Sequence, residues 1–129
     1  MNTTKLASVA AAGILAAVAV PAAAQAGGVD PTVNTGGCSG AATWTMKVKP
    51  QNGRIQVEYE VDASRAGQQW KVNLFQNGRR VMSNVFTTRG PSGSFTIRTV
   101  QPNTAGRDRI SGHATRIGDG QTCRGGAGF

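Results

Sequence analysis

The stretch Trp44–Val61, WTMKVKPQNGRIQVEYEV, decides the fold. Its apolar residues recur at every second position. Trp44, Met46 and Val48 alternate with Thr45, Lys47 and Lys49, and Ile55, Val57, Tyr59 and Val61 alternate with Gln56, Glu58 and Glu60. Period two sends successive side chains to opposite faces of an extended chain, so the pattern predicts two strands, each with one apolar face. Between them stands Asn52-Gly53, a pair suited to a two-residue primed turn, in which both central residues take positive φ. That turn sets Gln51 opposite Arg54, and the remaining pairs follow. Val48 meets Val57, Met46 meets Tyr59 and Trp44 meets Val61 on one face. Lys47 meets Glu58 on the other, an opposite-charge pair that favours this register. Pro50 falls in a non-hydrogen-bonded pair with its missing N–H turned away from the partner, so the strand is expected at a sheet edge.

The same reasoning at Asn77-Gly78 pairs Gln76 with Arg79, and then Leu74 with Val81, Val72 with Ser83 and Trp70 with Val85 on the inner face. On the outer face Lys71 lies opposite Asn84, Asn73 opposite Met82 and Phe75 opposite Arg80. Two further strands are predicted, one carrying Phe95 and Ile97 inward, the other Ile110, Gly112 and Ala114. A short last strand surrounds Cys123, its register left open by the pattern. Seven short strands at roughly ten-residue spacing indicate an all-β, single antiparallel β-sandwich.

Outward from this core the chain changes character. Residues 1–26 have the parts of an export signal: Lys5 before an apolar run from Leu6 to Val20, then Pro21 and the small-x-small Ala24-Gln25-Ala26. The run is too short and too rich in alanine for a membrane anchor, so a cleaved signal peptide and no membrane span in the mature form are expected. Residues 27–37, GGVDPTVNTGG, lack periodicity and read as a flexible leader, with the sandwich over 38–129. Export places Cys38 and Cys123 in an oxidising compartment, where the even count favours a disulfide. Closing a loop of about 86 residues, it is worth roughly 4 to 5 kcal/mol in the chain-entropy account.

Cys38-Ser39-Gly40 leading into Ala42-Thr43-Trp44, together with Val57–Asp62, Trp70-Lys71-Val72, Gly90–Phe95 and the closing Cys123, resembles a group of small secreted proteins of high-GC Gram-positive bacteria. The resemblance implies a sandwich of immunoglobulin or fibronectin-III type. It carries no catalytic residue across.

Chemistry is sparse. His113 is the single histidine, predicted to face outward beside Ser111 and Thr115, and no nucleophile elbow accompanies it. Glu58 and Glu60 share a face, but Lys47 opposite Glu58 makes the pair structural rather than glycosidic. Asp30, Asp62, Asp108 and Asp119 stand singly, without metal-ligand spacing. No catalytic residue, metal site or cofactor is assigned, and the chain reads as non-enzymatic.

Charge is the informative feature. The 129 residues carry 14 Lys and Arg against 6 Asp and Glu, a net +8, which falls to +7 when Lys5 leaves with the signal. Outside a cell that charge draws the protein toward an anionic cell-wall polymer or a surface protein. Nucleic acid is disfavoured, because only Phe75, Phe86 and Phe129 look free to stack on bases. The candidate binding patch is Lys71, Phe75, Arg79, Arg80 and Met82, an exposed Phe and Met among three cations, with Arg80 over the Phe75 ring. The expected function is a secreted binding module. The alternative is a secreted inhibitor or effector that inserts a loop, 62–69 or 87–93, into a partner enzyme.

Overall fold

A computed structural model describes residues 30–129, so the expected signal peptide lies outside the described residues. Eight strands follow one another: β1 (Thr32–Gly37), β2 (Thr43–Gln51), β3 (Arg54–Asp62), β4 (Gln69–Gln76), β5 (Arg79–Thr87), β6 (Ser94–Pro102), β7 (Arg109–Arg116) and β8 (Thr122–Gly128). All pairings are antiparallel, in two four-stranded sheets ordered β1-β2-β3-β6 and β5-β4-β7-β8. Among the described residues there is no helix.

The first hairpin has the expected register throughout, from Gln51 opposite Arg54 to Thr43 opposite Asp62. Asn52 and Gly53 turn the chain with φ of 49° and 75°, the left-handed values a primed turn needs. The segment before it departs from expectation. Part of the stretch read as a flexible leader is β1, paired with β2 from Thr32–Val48 to Gly37–Thr43. Its sequence, TVNTGG, has no apolar alternation because it joins the sheet through backbone bonds and covers little core. β2 is therefore not an edge over most of its length. Pro50 lies just beyond the last β1 pair, where its lack of an N–H costs no ladder bond.

The second hairpin corrects the expected register. Asn77-Gly78 turns with φ of 52° and 81°, and Gln76 and Phe75 meet Arg79 and Arg80 as predicted. A bulge at Val81 then shifts every later pair by one, so Leu74 meets Met82, Val72 meets Asn84 and Trp70 meets Phe86. Met82 and Phe86 thus turn inward against the core, whereas Val85 turns outward and is 44% exposed. The physical reason is burial. The shift trades one Val for a Met and a Phe, which remove more apolar area from water, and the bulged Val81 still packs against the core.

The sheets pack face to face. Met46, Val48, Ile55, Val57, Tyr59, Val61, Phe95 and Ile97 of the first meet Trp70, Val72, Leu74, Ile110, Ala114, Cys123 and Ala127 of the second, all buried. Tyr59 spans the interface: its hydroxyl donates to the Cys123 carbonyl at 3.2 Å. Its ring lies where a Cβ on Gly112 would come within 2.8 Å, so glycine there makes room for the aromatic. Phe129, expected to be free for stacking, is 4% exposed and exchanges backbone bonds with Asp108.

The Cys38–Cys123 disulfide is formed and ties the end of β1 to β8. The same edge is closed by hydrogen bonds. Ser39 N–H donates to the Thr122 carbonyl at 2.8 Å, Thr122 N–H to Ser39 Oγ at 2.9 Å, and Asn34 Nδ2 to the Gly126 carbonyl at 2.9 Å. The opposite edge is held differently, by Phe86 stacked on Phe95 with ring centroids 5.6 Å apart.

Candidate functional site

The outer faces of the two sheets differ in charge. On the first, β3 presents Glu58, Glu60 and Asp62 in a row of alternate positions. Glu58 lies between Lys47 and Arg98 in the ladder and accepts a 3.1 Å ion pair from Arg98. Glu60 accepts from Thr96 Oγ1, and Asp62 Oδ1 accepts from Ser64 N–H. This face carries both signs.

The outer face of the second sheet is built from Lys71, Asn73 and Phe75 on β4, Arg109, Ser111, His113 and Thr115 on β7, and Arg124 on β8. Arg80 lies opposite Phe75 on β5. The ladders set them in rows across the strands, Ser83–Asn73–His113–Arg124 and Val85–Lys71–Thr115–Thr122. No carboxylate lies in these rows. Three acids remain: Asp119 pairs with Arg116 at 2.7 Å in the β7–β8 turn, Asp108 is fully buried, and Asp30 is exposed just before β1. Among the described residues, Lys71, Arg80, Arg109 and Arg124 are exposed cations without an ion-pair partner.

In the middle of this face the Phe75 ring meets His113, centroids 5.1 Å apart and tilted by 52°. Burial first, and then the Arg124 charge beside it, hold the His113 imidazole below its ordinary value. His113 does face outward as the strand parity predicts, but it is half-buried against Phe75 rather than standing alone in water.

Of the five patch residues predicted from sequence, Lys71, Phe75 and Arg80 share this face, with Arg79 exposed at the hairpin tip. Met82 does not belong to it. The bulge turns it inward, and the Phe75 ring packs against His113.

Below this platform a groove of about 730 Å³ opens between β8, β7 and the Asn77-Gly78 turn, lined by Arg107, Arg109, Ser111 and the backbone of Gly126 and Gly128. No protein family, curated protein or solved structure matches this chain.

Sequence reasoning missed Arg107, Arg109 and Arg124 as companions of the patch. The signal existed. Ile110 is inward, so Asp108 is inward as well, and alternation then puts Arg107 and Arg109 on the outer side together. Asp108 is pinned in that orientation. It accepts from Gln76 Nε2 at 3.0 Å, Asn77 Nδ2 at 2.9 Å, Thr104 N–H at 3.0 Å and the Thr104 hydroxyl. Burial alone raises a carboxyl group's pKa. Here these hydrogen bonds outweigh it and hold Asp108 below the usual carboxylate value.

The two loops considered for insertion into a partner brace each other. Buried Thr88 donates its hydroxyl to the Arg65 carbonyl at 2.7 Å and its N–H to the Gln68 carbonyl at 2.8 Å, while Gly67 N–H donates to the Thr88 carbonyl at 2.8 Å. They form one joined end of the molecule.

Proposed function

We propose that the chain is a secreted, non-enzymatic binding module of immunoglobulin or fibronectin-III type that engages an anionic cell-envelope polymer through the outer face of its second sheet. The single observation that carries this reading is the segregation of charge. Lys71, Arg80, Arg109 and Arg124 share a sheet face free of carboxylates, while Glu58, Glu60 and Asp62 crowd the other sheet. A net positive charge kept only for solubility has no reason to sort itself by face. Unpaired cations on a rigid sheet attract a polyanion along its length, and the Phe75–His113 pair offers an apolar surface between them. Strands β2–β8 divide three against four, an order that supports the immunoglobulin or fibronectin-III type, with β1 added at the edge. The disulfide, and the absence among the described residues of a helix long and apolar enough to cross a membrane, are compatible with an extracellular protein.

The test is retention on purified cell walls across a salt series, before and after protease treatment of the walls. Retention should fall steeply with salt, since binding releases counterions, and should survive the protease. A Lys71→Gln, Arg80→Gln, Arg124→Gln triple variant should lose most retention, and a Lys47→Gln, Lys49→Gln, Arg98→Gln triple of equal charge should not. Equal losses in the two triples, or retention indifferent to salt, would overturn the proposal. Loss of retention on protease-treated walls would point to a surface protein instead.

A further inference from the structure

We infer that the groove beside β8 is a subsite for a tetrahedral oxyanion, and that its natural occupant is the phosphate of a phosphodiester-linked polymer. The identification of the polymer rests on the reading of the sheet face given above; the oxyanion subsite itself rests on the groove. Four observations converge there.

The first is that two guanidiniums, Arg107 and Arg109, line one groove without a carboxylate partner. The second is that the carboxylate between them in sequence is turned away. Asp108 is buried, and Gln76, Asn77 and Thr104 saturate it with hydrogen bonds. It therefore fixes the two arginines outward without competing for a ligand. Third, the Arg107 side chain lies on the β8 backbone, where a Cβ at Gly128 would come within 2.6 Å of its Nη2. A side chain at position 128 would displace the guanidinium. Fourth, the side-chain amides that line the groove are partly committed. Asn34 Nδ2 donates to the Gly126 carbonyl, and Asn77 bonds Asp108 and the Arg109 N–H. The side-chain donors left for a ligand are the two guanidinium forks, the Ser111 hydroxyl and the second N–H of Asn34.

That donor set suits a group with acceptor oxygens in several directions. A planar carboxylate turns both oxygens toward a single guanidinium fork. The tetrahedral phosphorus of a phosphodiester instead aims its two anionic oxygens apart, one toward each guanidinium, with the hydroxyl donating to either. The volume, about 730 Å³, exceeds what one phosphate fills and leaves space for the polyol or sugar on either side of it. Phe75 lies opposite Ser111 in the ladder, so a chain leaving the groove meets the Phe75–His113 platform next.

The experiment is an amide-resolved NMR titration with inorganic phosphate, and with acetate at equal ionic strength. Phosphate should give saturable shifts at Gly78, Ser111, Gly126 and Gly128 that acetate does not reproduce. Arg107→Gln with Arg109→Gln should abolish them. Gly128→Ala should weaken phosphate about tenfold or more, the loss expected when a charge-assisted bond is displaced, with the thermal midpoint checked to show an intact fold. Shifts that never saturate, that acetate matches, or that persist without the two arginines would overturn the subsite. The same variants are then placed on walls, with poly(glycerol phosphate) and polyglutamate as soluble competitors. Competition by the phosphate polymer alone is the expected result. Saturable phosphate shifts with salt-indifferent wall retention would sink the polymer reading and leave the subsite standing. Salt-sensitive retention without those shifts would do the reverse, and stronger competition by polyglutamate would overturn phosphate as the natural occupant.

Discussion

The two hairpins turn on the same dipeptide and then diverge. At Asn52-Gly53 the ladder runs straight for the whole of β2 and β3, while at Asn77-Gly78 it is broken after two pairs by the Val81 bulge. Turn chemistry fixes the pairs next to the turn, since both hairpins place their first pairs as the dipeptide requires. Farther along, register follows whichever alignment buries more. β2 and β3 alternate strictly, so the straight register already buries Met46, Val48, Val57 and Tyr59. On β5 the larger side chains, Met82 and Phe86, lie at the wrong parity for a straight ladder, and one extra residue puts them right. The second turn is also anchored from outside, because Asn77 bonds Asp108 and the Arg109 backbone.

The sharpest way to break the comparison is to remove that anchor. Asp108→Ala removes the charged acceptor shared by buried Gln76, by Asn77 and by Thr104. It leaves Gln76 the Pro102 carbonyl and Asn77 the Arg109 N–H, and should cost about 3 kcal/mol in denaturant unfolding. The linkage has a definite sign. Because the folded Asp108 is more acidic than a free carboxylate, its contribution is complete above the ordinary carboxylate pKa and is lost as pH falls through the depressed folded value. The wild-type protein should therefore lose stability in acid more steeply than the variant.

Next in size are two truncations that read the register directly. Phe86→Ala removes a side chain that stacks on Phe95 and should cost about 2 kcal/mol, whereas Val85→Ala should stay within about 0.5 kcal/mol. A straight second hairpin would reverse that order. Deleting Val81 sharpens the point. Without the extra residue, Met82 follows Arg80 directly and still meets Leu74, so the deletion should fold with its cross-strand contacts intact at a cost of about 1 kcal/mol. Loss of the fold would show that the bulge does more than correct parity.

The smallest effect concerns His113 of β7, which packs on Phe75 at the outer face of the second hairpin, whereas the first hairpin has no histidine against it. The folded His113 is a weaker base than a free imidazole, so the unfolded chain takes up a proton first. Stability should decline slightly as pH falls below the ordinary imidazole value, and level off below the folded one. His113→Gln should flatten that segment of the stability profile without changing the acid loss due to Asp108.

Much of the fold was legible in the residues. Strict alternation from Trp44 to Val61 and two Asn-Gly turns specified strands, partners and most of the core, because period two and positive φ are local requirements. β1 was not legible, since TVNTGG pairs through its backbone and shows no apolar stripe. The candidate face was half legible. Lys71, Phe75 and Arg80 follow from one hairpin, but Arg109, His113 and Arg124 join them only because β7 and β8 line up beside β4.

What this sequence determined alone is therefore local: which residues extend, where the chain reverses and which cysteines are present to pair. The tertiary structure decided the rest. It set the β5 register, sent Met82 inward and brought together on one face cations far apart in the chain. The reason is that burial is judged across two sheets at once, and no single strand's pattern contains the shape of the surface it must pack against.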